Sequence, residues 1–284
     1  MGGLEDSADQ VVLSPLSGDL PILAFQRAEV RAPRWPDPDY PAQFHLDLSF
    51  EDENAIELAR ELGAVHLKGE VHADPGGHPF CLGIWRAAAP SGIDVHYSRR
   101  GKGGNPETVD KVRTRLSGPV IGCGDAWELA EFYASLLGWK VVDRSHKAPG
   151  AWALVKSPDG EHKLEFQREE PFMPPVWPTV AGRQQMSMHL DIGVDGLAPM
   201  SDMEQRRRQF SEVVDRAKSL GARVAAHQPQ PERVLVMLDP AGHPFCLFPG
   251  KYAGSHDAGR PRPQAPAADA QGVGLGGVRR PPAC

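Results

Sequence analysis

Gly76-Gly77-His78-Pro79-Phe80-Cys81-Leu82 returns as Ala241-Gly242-His243-Pro244-Phe245-Cys246-Leu247. Each copy closes a stretch that opens on an HLD triplet within a strand, Phe44-His45-Leu46-Asp47-Leu48 and Met188-His189-Leu190-Asp191-Ile192. Between triplet and closing segment lie an amphipathic helix ending in Leu62-Gly63-Ala64 or Leu220-Gly221-Ala222, then Asp74-Pro75 or Asp239-Pro240. The strand before the triplet repeats as well, Ala24-Phe25-Gln26-Arg27-Ala28-Glu29 against Glu165-Phe166-Gln167-Arg168-Glu169-Glu170. Such self-similarity marks a chain built from repeated α+β modules, and it places candidate site residues while leaving the ligand open. The copies differ in spacing: His45 to Gly63 is 18 residues and His189 to Gly221 is 32, the second copy carrying extra polar sequence from Asp195 to Arg208.

The 284 residues suffice for one or two modest cores, and a hydrophobic content of 40% is ordinary for a soluble protein. A net charge of −6 argues against nucleic-acid binding, and Arg206-Arg207-Arg208, flanked by Glu204 and Gln209, reads as a solvated helix face. No apolar run reaches the roughly 20 residues that span a bilayer, and no signal segment opens the chain, so a cytoplasmic, membrane-free protein is expected. Cysteines 81, 123, 246 and 284 include no close pair and fit neither a zinc knuckle nor a dense disulfide scaffold.

Residues 117–250 carry two successive strand–helix–strand–strand–strand units. Pro119 to Cys123 reads as a strand and Asp125 as the cap of a helix, with Glu128 as its capping-box partner. Leu129, Phe132, Tyr133, Leu136 and Leu137 line one helical face, and Gly138 stops it. Strands are expected at 139–142, 151–155 and 163–167, then, after a helix burying Phe210, Val213, Val214, Ala217 and Leu220, at 222–226, 233–238 and 244–248.

The Phe132-Tyr133 pair with Leu137-Gly138-Trp139, the MHLDIGV strand from Met188, and Asp239-Pro240-Ala241-Gly242-His243-Pro244-Phe245-Cys246-Leu247 together resemble the glyoxalase-like branch of the vicinal oxygen chelate superfamily. The resemblance implies an α+β fold in which tandem βαβββ units form a cupped mixed sheet with helices on its outer face. It covers 117–250 well and 20–86 in part. The expected organisation is a disordered 1–17, a partial glyoxalase-like unit at 18–88, a linker at 89–115, a complete glyoxalase-like domain at 116–252 and a disordered tail at 253–284. The first region supplies one closing strand, Pro21 to Arg27, and one unit, Gln43 to Trp85, in which the 10 residues from Ala64 to Asp74 leave room for one strand fewer than the 17 from Ala222 to Asp239. The absent leading unit is compatible with a truncated gene start and with loss of the unit. The shortened region should pack on the complete domain or on a second copy, since its sheet edge needs cover.

Metal-using members of the superfamily take ligands from the first and last strands of two units. Carried onto 117–250 those positions are Gly118, Glu165, His189 and Cys246, and in the first region Ala24, His45 and Cys81. Glycine offers no ligand and a cysteine stands where a glutamate is expected, so the implied site is incomplete. The expected function is a small-molecule binding module without a complete metal site, with Glu165, His189, Trp152, Phe166 and Cys246 as ligand contacts and a small apolar or planar molecule as ligand. The alternative is a metal-dependent lyase, isomerase or dioxygenase with Zn, Fe, Mn or Ni on Glu165 and His189. His78 and His243, each between Gly and Pro, read as braces of a turn, and Cys123 as a small buried strand residue. The stiff apolar segment 171–178 reads as a pocket wall or a contact with a partner subunit.

Overall fold

A computed structural model of the chain describes residues 4–6, 10–13, 23–27, 32–37, 39, 42–50, 54–84, 93–97, 112–160, 162–178, 180 and 187–250. It opens on an antiparallel meander, β1 (Leu4–Asp6), β2 (Gln10–Leu13) and β3 (Leu23–Gln26). Three βαβββ units follow. Unit A is β4 (Phe44–Phe50), α1 (Asn54–Glu61), β5 (Val65–Lys68), β6 (Val71–Ala73) and β7 (Pro79–Ile84). After β8 (Ile93–Tyr97) comes unit B: β9 (Val112–Cys123), α2 (Ala126–Leu137), β10 (Lys140–Arg144), β11 (Trp152–Lys156) and β12 (Lys163–Arg168). Unit C is β13 (Leu190–Gly193), α3 (Met203–Ser219), β14 (Arg223–Val224), β15 (Leu235–Leu238) and β16 (Pro244–Phe248).

Each unit has one pairing plan: its first strand lies parallel to its last, and the remaining strands run antiparallel outward. Units A and B are joined edge to edge, because β4 pairs antiparallel with β9. The result is a nine-stranded sheet, β10-β11-β12-β9-β4-β7-β6-β5, with β8 also on β9. Unit C forms a separate four-stranded sheet, β13-β16-β15-β14. The fold is thus α+β, built from tandem βαβββ units.

Local chemistry sets the helix ends. The Asp125 carboxylate accepts from the amides of Trp127 (2.8 Å) and Glu128 (3.0 Å), and Gly138 ends α2 at φ 70°, a left-handed conformation that glycine adopts without a Cβ clash. Asp202 caps α3 through the Gln205 amide. Phe44, Ile121, Leu129, Tyr133, Phe166, Met237, Phe245 and Leu247 form one buried core, which joins α2 and its sheet to α3 and unit C. Each such side chain contributes about 1.5–3 kcal/mol on leaving water. A smaller cluster, Phe50, Ala55 and Leu82, seats α1.

Several expectations are corrected. The strands β1 and β2 lie within 1–17, which composition marked as disordered. The meander β1–β3 repeats the run of three antiparallel strands that closes each unit, where the sequence suggested a single closing strand. Unit A is not a strand short: 10 residues accommodate β5 and β6 because these strands are brief and turn tightly at Gly69 (φ 57°). The expected linker 89–115 contains β8 and the start of β9, which pair with each other from Ile93–Leu116 to Tyr97–Val112. The tail 253–284 lies outside the described residues. Among the described residues no helix is long and apolar enough to cross a membrane.

Candidate functional site

Side chains alternate along each strand, so burial on one face fixes what the other presents. On β12, Leu164 and Phe166 are buried against α2, and Lys163 and Glu165 turn to the opposite face. On β9 Ile121 and Cys123 face the helix, and on β4 Phe44 and Phe50 do so, leaving Val120, His45 and Asp47 with Glu165. The register aligns them: Glu165 pairs with Val120, and Val120 with His45. One step along, Asp47 pairs with Gly118 on one side and with Cys81 on the other. Gly118 keeps this row open, since a Cβ there would approach Lys163 Cγ to 3.2 Å.

Glu165 is held in place. Lys163 Nζ donates to its Oε1 and the Trp152 indole N–H to its Oε2 at 3.2 Å. Trp127 fixes Trp152 in turn by donating its indole N–H to the Trp152 carbonyl at 3.2 Å. Across Val120 from this carboxylate, His45 Nε2 lies 3.4 Å from Asp47 Oδ1, and His45, Asp47 and Cys81 bring one donor atom each within 4.8 Å of the others. Burial pushes the Cys81 thiol up to about 12, and the charges of Asp47, Glu70 and Glu165 push the same way. Glu169 lies over Gly122; burial raises its carboxyl, and His45 and His243 partly offset this.

His189, Asp191 and Cys246 form a matching cluster in unit C, again with one donor from each within 4.8 Å of the others. His189 Nε2 is 3.1 Å from Asp191 Oδ1, and the Cys246 thiol is raised to about 12 by burial and by Asp191. Glu165 therefore shares its sheet with His45 and Cys81, whereas His189 and Cys246 stand together on the sheet of unit C. The sequence paired Glu165 with His189 because it assigned unit B to unit C. The free edge of β9 is in fact taken by β4. Trp152 reaches the row through Glu165, and Phe166 leaves it: it is fully buried and stacks on Tyr133 with centroids 5.6 Å apart, because its neighbour Glu165 faces the other way. Asp47 and Asp191 were missed as site residues. The signal was present in the HLD triplet, since residues two apart on a strand share a face.

The other histidines and Cys123 have structural partners. Fully buried His243 donates its backbone N–H to Asp239 Oδ1 (2.9 Å) and sets Nδ1 3.0 Å from Asp239 Oδ2, while Tyr133 donates to the same carboxylate at 3.0 Å. His78 repeats the turn with Asp74. The Cys123 thiol donates to the Gln167 carbonyl and is pushed up to about 12 by burial, which suits no nucleophile. The segment 171–178 lies against unit C: Phe172 meets the His243 ring at 5.7 Å, and the Trp177 indole donates to the His227 carbonyl at 3.2 Å.

A family model for a glyoxalase-like domain matches residues 3–83 and 119–248. No curated protein matches the chain. Similar solved structures include a possible glyoxalase from Bacillus cereus, 14% identical over 45% of this chain and 93% of that chain with a TM-score of 0.32. A glyoxalase I mutant from Zea mays is 17% identical over 72% of this chain and 66% of that chain, with a TM-score of 0.43. The fosfomycin resistance protein FosX from Mesorhizobium loti is 14% identical over 47% of this chain and 89% of that chain, with a TM-score of 0.31.

Proposed function

The chain belongs to the glyoxalase-like domain family, and from that premise we propose that it binds a small planar, oxygen-bearing molecule on the face of the nine-stranded sheet opposite the helices. What supports this reading is the row Glu165–Val120–His45, in which two polar side chains flank one apolar residue across three adjacent strands. The bonds from Lys163 and Trp152 hold Glu165 in one geometry, so a ligand meets an acceptor whose ordering cost has already been met in folding. His45 supplies an imidazole, Lys163 a cation for a carboxylate or enolate oxygen, and Trp152 an aromatic edge.

A divalent metal is the group this family implies, and the residues of unit A fit one. His45, Asp47 and Cys81 offer nitrogen, oxygen and sulfur donors, and Asp47 Oδ1 is buried without a hydrogen-bond partner. These three residues would hold the ion, which when bound would supply a Lewis acid for a substrate oxygen. That donor set favours metal-assisted chemistry of the lyase, isomerase or dioxygenase type as the second reading. A calorimetric screen of small aromatic and enolisable oxyanions, repeated on His45→Ala and Glu165→Ala, tests the site. Hits should bind both variants about 5- to 100-fold more weakly, the loss of one ligand-facing hydrogen bond. Hits that bind both as tightly as the unaltered chain would remove it.

A further inference from the structure

The two clusters are one constellation written twice. In unit A, Asp47 pairs with Cys81 across the parallel strands β4 and β7; in unit C, Asp191 pairs with Cys246 across β13 and β16. In both, the histidine stands two residues before the aspartate and its Nε2 approaches the same carboxylate oxygen, at 3.4 Å and 3.1 Å. In both, the thiol sulfur lies within 4.8 Å of that carboxylate and of the imidazole. The recurrence of core residues between the units, such as Leu82 and Leu247 or Phe80 and Phe245, follows from packing. Packing does not account for His, Asp and Cys, which lie on the other face of their strands and stay partly exposed: the histidine side chains are 18% and 31% exposed and the aspartates 31% and 24%.

The family pattern takes one ligand from each of four strands contributed by two units. Here three donors come from a single unit, from its first and last strands and, in unit C, from His189 just before the first strand, and the aspartate occupies a position two residues beyond the family's first-strand ligand. Each set is therefore complete within its own unit, and unit C needs no partner unit to assemble it.

We infer that units A and C each hold one divalent transition-metal ion on a His–Asp–Cys triad, so that one chain binds two ions of the zinc, cobalt, nickel or ferrous class. Imidazole and thiolate select these over magnesium and calcium, which take all-oxygen shells. Three protein donors leave a coordination position for water or a ligand oxygen. On binding, the cysteine S–H bond breaks, the sulfur lone pair passes to the metal, and the proton leaves to solvent. The first site coincides with the metal reading of unit A, and the second stands without it.

The test is a titration of the chelator-treated full chain with Co²⁺, followed by the thiolate-to-cobalt charge-transfer absorption and by the metal-to-protein ratio after desalting. The unaltered chain should bind two equivalents with a thiolate band, Cys81→Ser and Cys246→Ser one each, and the double variant none, with far-ultraviolet circular dichroism unchanged. Asp191→Asn offers a second route to the unit C site and should weaken its cobalt affinity at least tenfold. A ratio other than two in the unaltered chain, or a ratio and band that Cys246→Ser leaves unchanged, would overturn the inference. The small-molecule reading fails separately: its hits should respond to His45→Ala and remain unaffected by Cys246→Ser.

Discussion

Replacing Tyr133 with phenylalanine isolates the bond that ties unit B to unit C. Tyr133 is fully buried on α2, and its hydroxyl donates to Asp239 Oδ2 at 3.0 Å, 106 residues away in the Asp-Pro turn before β16. The same carboxylate accepts from the amides of Ala241 and His243, both at 2.9 Å, and meets His243 Nδ1 at 3.0 Å. Phenylalanine keeps the ring and its contacts with Phe166 and Phe245, so only the hydroxyl's bond is lost. A hydrogen bond to a charged acceptor contributes about 1.5–3 kcal/mol, and since the other donors remain, the lower part of that range, about 2 kcal/mol, applies. For a protein of this size that lowers the melting temperature by about 4–8 °C. Asp239→Ala, which strands the hydroxyl, both amides and the imidazole together, should cost about 3–5 kcal/mol. Differential scanning calorimetry at neutral pH reads both. Hydrogen exchange should show the Tyr133→Phe loss at the 239–243 turn before the nine-stranded sheet. A Tyr133→Phe melt within about 1 °C of the unaltered chain would refute the account of this bond as a tether.

Glu169→Gln should raise stability at neutral pH, measured with chelator present. Burial holds the Glu169 carboxyl above its ordinary 4.5, so the native state disfavours the charged form. That penalty is absent below the unfolded value, grows as pH rises from there through the raised folded value, and is complete above it; the advantage of the glutamine variant should vanish in acid, and urea melts across this range check the sign. Phe166→Ala should cost about 3–5 kcal/mol, because a fully buried ring leaves a cavity under α2, and calorimetry that finds a ligand-affinity loss without a stability loss would return Phe166 to the site. Asp125→Ala should remove about 1 kcal/mol by leaving the first α2 amides uncapped, readable in a urea melt. Lys163→Met removes the cation beside Glu165 and should tighten cobalt retention at the unit A triad severalfold, about 1 kcal/mol, while leaving unit C unchanged in the same titration.

The sequence by itself determined what is local. The repeated HLD and HPFC segments placed the first and last strands of units A and C, Asp125 and Gly138 bounded α2, and the Gly-His-Pro turns named the structural histidines, because strand alternation, capping and turn chemistry each act over a few residues. The same segments contained both triads, although the parallel register that sets Asp47 opposite Cys81 and Asp191 opposite Cys246 is a tertiary fact. Composition misjudged the strands β1, β2 and β8, since a segment poor in core-forming residues can still be ordered when a neighbouring strand completes its hydrogen bonds. Only the tertiary structure decided which units share a sheet. The outer edges of β4, β9 and β13 offer the same backbone donors and acceptors, and no side-chain pattern within a unit records which edge will meet which. The pairing of β4 with β9 is what sets Glu165 and His45 in one row on either side of Val120 and leaves His189 with Asp191 and Cys246 in unit C.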